Sequence, residues 1–158
     1  MTHSRRYVVV CCLTVFAVAL AGPVAGASAS KASIKAALRS YSGKIAVAEG
    51  HTLTAAGEYK TTHNAAPVEE AITTSIAVLG ALRTKIAAQS AGTRSVKVAK
   101  RKLEKGLEAV IVAYEKLKAA YNEKASSPEA AQAEAEKALV SVKSGRKQLN
   151  EATKLLLG

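Results

Sequence analysis

The sequence predicts an all-α protein, an antiparallel up-down-up-down four-helix bundle that follows a cleaved signal peptide. Three observations lead there. Beyond residue 29 the chain is rich in Ala, Lys, Glu and Leu, which are strong helix formers. Apolar residues recur at three-and-four spacing, and no alternating strand pattern competes with them. The breaks between periodic runs carry Pro at helix starts and Gly near a helix end, and the connections are short, which implies antiparallel neighbours.

The leader comes first. Thr2 to Arg6 is polar and basic, and an uncharged run from Val8 to Ala29 follows. That run contains the apolar stretch VVVCCLTVFAVALA, the Gly22-Pro23 break and the small-residue sequence Ala27-Ser28-Ala29. This is the pattern of a secretory signal peptide over 1–29, with cleavage near Ala29. The stretch SRRYVV fits a loose twin-arginine pattern, while the strongly apolar core suits the general secretion route. Both cysteines, Cys11 and Cys12, lie in the leader, so the expected mature chain has neither disulfide nor thiol chemistry.

Residues 30–158 are expected to form one domain, with helices over about 33–62, 67–90, 94–125 and 128–157. At about 129 residues such a domain can bury most of its apolar surface without covalent staples. In the first helix Ile34, Leu38, Tyr41, Ile45, Ala48, Thr52, Ala55 and Tyr59 fall on one stripe. Pro67 opens the second at its first position, ahead of Glu69 and Glu70, and Val68, Ile72, Ile76, Leu79, Leu82 and Ile86 make its stripe. Gly92 is expected to end it, and Thr93 to cap the third helix. The third presents Val96, Ala99, Leu103, Leu107, Val110, Tyr114, Leu117 and Tyr121. Ser127 and Pro128 start the fourth, whose stripe is Ala135, Leu139, Val142, Leu149, Ala152 and Leu156.

Charge narrows the function. The chain holds 23 Lys and Arg against 12 acidic residues, all Glu, and loss of Arg5 and Arg6 takes the formal charge from +11 to +9. The basic residues concentrate in TRSVKVAKRKLEK, residues 93–105. That is an unfavourable place for them, because a helix N-terminus carries partial positive charge. Arg94, Lys97, Arg101 and Lys105 share an arc opposite the core stripe. Antiparallel packing brings Lys31, Lys35 and Arg39 to the same end, joined by Lys154, with Lys143, Arg146 and Lys147 further along the fourth helix. Lys35, Arg39, Arg94, Lys97, Arg101 and Lys105 are therefore the expected anion-binding residues. Outside a cell, their partners would be an anionic cell-wall polymer or an anionic membrane surface. Sequence-specific nucleic acid is disfavoured, because no aromatic residue in the cluster could stack on a base.

Two other features bear on partners. Gly43, Gly50 and Gly57 recur every seven residues on the back of the first helix, within an uncharged strip of small residues. Small residues allow helices to approach closely, so the strip is an expected association surface, with a homo-oligomer as its product. Tyr59 and His63 stand four apart on one helical face, and Tyr121 should reach the same end. Phenolate and imidazole both ligate haem iron. The Tyr-x-x-x-His spacing is similar to that of some secreted bacterial haem carriers, and haem is the one cofactor that this resemblance implies.

Catalytic patterns are missing from the sequence. It has no Asp, no nucleophile elbow, no phosphate-cradling glycine loop and no paired-His metal motif. Neither His51 nor His63 follows a Glu by three residues, as di-metal bundles require. The expected protein is a secreted, non-enzymatic binding or structural component of a bacterial envelope, with no metal and no catalytic residue. A secreted haem carrier using Tyr59 and His63 is the alternative.

Overall fold

A computed structural model describes residues 29–122 and 128–157, with four α-helices and no strand among them. They are α1 (Ala29–Thr62), α2 (Ala66–Ala87), α3 (Arg94–Asn122) and α4 (Pro128–Leu157). The expected leader lies outside the described residues except for Ala29, which opens α1. The expected Ser127 cap and the extension of the third helix to 125 also lie outside them.

The helices form an all-α bundle in which sequence neighbours pack together: α1 on α2, α2 on α3, and α3 most extensively on α4. Between α2 and α3, and between α3 and α4, partner numbers rise on one helix as they fall on the next. Arg83 pairs with Glu108, while Lys100 reaches the Ala87 carbonyl. Between α3 and α4, Lys102 meets Glu151 at 3.9 Å. Between α1 and α2, the buried hydroxyls of Thr52 and Ser75 hydrogen-bond at 3.0 Å.

The core follows the apolar periodicity. Ile34, Val68, Ile72, Leu82, Ile86, Leu103, Leu107, Val110 and Leu156 are essentially inaccessible to solvent. Every described buried side-chain polar atom has a hydrogen-bond partner.

Helix ends depart from expectation where tertiary contacts intervene. α2 ends at Ala87, five residues before Gly92, and the Gln89 N–H tightens the exit onto Ile86 O. Gly92 is therefore no helix terminator. Its N–H donates to Ser30 Oγ at 3.1 Å, joining the α2–α3 connection to the start of α1. Pro67 sits at the second helical position, behind Ala66, whose N–H donates to Asn64 Oδ1. Thr93 caps α3, its Oγ1 accepting the Val96 N–H at 3.3 Å.

Two glycines fix the α3–α4 crossing. A Cβ on Gly145 would lie 2.6 Å from Val110 Cγ2 and 3.2 Å from the Gly106 carbonyl oxygen. A Cβ on Gly106 would lie 2.8 Å from Leu149 Cδ2. The helices touch at these two points because neither residue has a side chain.

Candidate functional site

The start of α3 answers the question its sequence raises. The Ser30–Gly92 bond places the start of α1 beside it, and the ends of α2 and α4 lie against it as well. A helix C-terminus carries partial negative charge, so basic residues on α3 complement the ends of its neighbours.

Two cations of the cluster are engaged by neighbouring helices. Lys100 Nζ donates to the carbonyls of Ala87 at 2.7 Å and Gln89 at 2.6 Å, which the end of α2 would otherwise leave open. Lys102 ties α3 to the last turns of α4 through Glu151. The other four, Arg94, Lys97, Arg101 and Lys105, are exposed and have no ion-pair partner among the described residues.

Lys35 is half-buried and Arg39 is exposed, both on the first turns of α1. Partial burial, and then the neighbouring charges of Lys31 and Arg39, hold the Lys35 ammonium below its ordinary pKa. Burial is the larger cause of this depression, and the two neighbouring cations add to it.

Arg146 does not continue this surface. The expected basic run along α4 loses it to the interior, where it donates to Glu49 Oε1 of α1. The two side chains are only 18% and 11% exposed, and they link α1 to α4. Beside them lies a cavity of about 30 Å³, walled by leucines including Leu38, Leu82, Leu103 and Leu149. Burial raises the Glu49 pKa, and the charge and hydrogen bond of Arg146 only partly oppose this. Nothing in the local sequence marks this pair, since its members are 97 residues apart.

The aromatic residues gather as the spacing suggests. The Tyr59 ring stands edge-on to Tyr121, with centroids 4.9 Å apart, and edge-on to His63 at 6.1 Å. His63 has φ +51°, and its N–H bonds back to the Tyr59 carbonyl at 2.9 Å. It therefore closes α1 in the left-handed conformation, a position that a helix terminus commonly fills with Gly or Asn. Among the described residues no group of three His, Cys, Asp or Glu could hold a metal ion.

Gly43, Gly50 and Gly57 face open space, and a Cβ on any of them would meet nothing within 4 Å. Val47, between the first two, is 59% exposed. Among the described residues, the glycines at which two helices come together are instead Gly106 and Gly145. No family model, curated protein or solved structure matches this chain.

Proposed function

We propose that this is a secreted, non-enzymatic helical protein of a bacterial envelope that contacts anionic partners through the basic end of an up-down-up-down bundle. One observation carries the reading. Four exposed cations of α3, without ion pairs among the described residues, stand at the end where α1 also presents Lys35 and Arg39. The reversed order of contacts between α2 and α3 and between α3 and α4 supports the topology. The leader-like pattern of residues 1–29 supports secretion.

Replacing Arg94, Lys97, Arg101 and Lys105 with Gln tests it. Binding to an anionic polymer or vesicle should weaken and its salt dependence flatten, because each lost contact removes counterion release. The fold should persist, since all four side chains are exposed. The control removes Lys44, Lys60, Lys118 and Lys124. Equal losses in both variants would mean that net charge alone binds and the basic end is no site. The protein is assayed as exported, and an intact mass that retains Arg5 and Arg6 retires the secreted part of the reading.

The second reading, a secreted haem carrier, is supported by the convergence of Tyr59, His63 and Tyr121. Mixing with ferric haem should then produce a shifted Soret band that is lost in Tyr59→Phe. A spectrum identical to that of free haem removes this reading.

A further inference from the structure

Resting on the proposed affinity for anionic partners, we infer that the partner is a lipid bilayer bearing anionic headgroups, and that the outer face of α3 and α4 lies flat on it. Five large aliphatic side chains are exposed among the described residues, and four belong to these two helices: Val98 (43%), Val112 (42%), Val140 (66%) and Leu155 (47%). Scattered exposed aliphatics are ordinary on a protein surface, so their placement decides the matter.

The register of α3 against α4 follows from Lys102 on Glu151 and from Val110 against Gly145. Val98 is one turn before Lys102, and Leu155 is one turn after Glu151, so the two stand level across the seam. Val112 and Val140 come level in the same way, about 21 Å further along. Around the α3 axis, Val98 and Val112 fall in the arc that holds Arg94, Arg101 and Lys105. On α4, Val140 and Leu155 share the side that carries Glu151 and Lys147.

The charge of this face is mostly positive, its described carboxylates on α4 being Glu136, one turn before Val140, and Glu151. Glu151 is engaged by Lys102. Arg101, Lys105, Lys116, Lys147 and Lys154 are exposed and have no ion pair among the described residues. Aliphatic side chains set among such cations match the boundary between headgroups and acyl chains, where phosphates meet the cations and the apolar groups leave water. A hydrated polymer would use the cations and leave the aliphatics idle. No helix among the described residues is long and apolar enough to cross a membrane, so the contact lies on the surface.

The test uses the exported protein, vesicles of phosphatidylglycerol with phosphatidylcholine, and soluble polyphosphate as a polymeric anion without a bilayer. The chain has no Trp, so Val140→Trp gives one fluorophore on this face and Val47→Trp gives one on α1. Vesicles should shift the emission of the Val140→Trp chain to the blue, with quenching by brominated lipid, and leave the Val47→Trp chain unchanged. Substituting Val98, Val112, Val140 and Leu155 with Gln should weaken vesicle binding about tenfold or more, since each side chain loses partial apolar burial. Polyphosphate binding should stay within error. The inference is overturned, with the basic-end reading intact, by polyphosphate binding without vesicle binding. Vesicle binding with both fluorophores in water and no effect of the Gln substitutions has the same meaning. Failure to bind either probe at low salt overturns both.

Discussion

Replacing Arg146 with Met is expected to destabilise the fold by about 3–5 kcal/mol near neutral pH, because it leaves the Glu49 carboxylate buried without its partner. Such a loss is a large part of the 5–15 kcal/mol that holds a typical domain together. Glu49 is raised in pKa even with Arg146 present, chiefly by burial. The folded state thus binds the proton more readily than the unfolded chain does. Stability from this group is fully present below its unfolded pKa and is lost as pH rises through the folded one. Without Arg146 the folded pKa rises further, so the window of loss widens toward neutrality. The deficit of Arg146→Met against the parent should therefore shrink on acidification, as read by urea unfolding at several pH values. The double variant Glu49→Leu with Arg146→Met removes both charges and should be neutral, or more stable by about 1–4 kcal/mol, because no desolvated ion remains. A pH-independent deficit in the single variant, or a double variant as weak as the single, would show that the pair acts through something other than buried charge.

Gly145→Val should be the other severe change. Its Cβ alone would enter contact distance of Val110 Cγ2 and of α3 backbone atoms, which have no rotamer to change. The helices must separate, and overpacking of this kind costs about 1–3 kcal/mol or more. Separation would also loosen the most extensive packing in the bundle. Gly50→Ala makes the useful contrast. Its Cβ enters open space, and replacing a helical Gly by Ala gains about 0.5–1 kcal/mol. Opposite signs for the two substitutions in thermal unfolding would confirm that the glycines of α3 and α4 are contact points. If Gly145→Val melts with the parent, the crossing is looser than its geometry indicates.

The four helices were legible in the sequence because burial repeats at the helical period. Ile34, Leu38, Ala48, Thr52 and Ala55 are buried on α1, and Val96 through Leu117 on α3, along the stripes that spacing alone marks. What spacing cannot supply is which stripe flank meets which. Glu49 and Arg146 each border a core stripe, but their pairing depends on how α1 and α4 are set in space. The glycines teach a different lesson. Gly43, Gly50 and Gly57 lie opposite the core, where their spacing places them. Gly106 lies within the α3 stripe beside Leu107, so its position relative to the core was the available signal. The basic cluster was visible as charge. Its division into helix-capping Lys100, cross-helix Lys102 and four exposed cations emerged only with the neighbouring helix ends in place.

Lys100 has a consequence for how the chain acquires its shape. It is an α3 side chain that covers the Ala87 and Gln89 carbonyls, while the Thr84, Lys85 and Ile86 carbonyls are met from within the end of α2. Before α3 docks, the Ala87 and Gln89 carbonyls must turn to water, and the helix can fray from Ala87 backward at little cost. The end of α2 and the start of α3 are therefore expected to open together in native-state hydrogen exchange. The short connection between them contributes a low entropy of closure. Through Gly92 and Ser30 the first turn of α1 is tied to the same place, so three separate stretches of chain meet around one lysine and one hydroxyl.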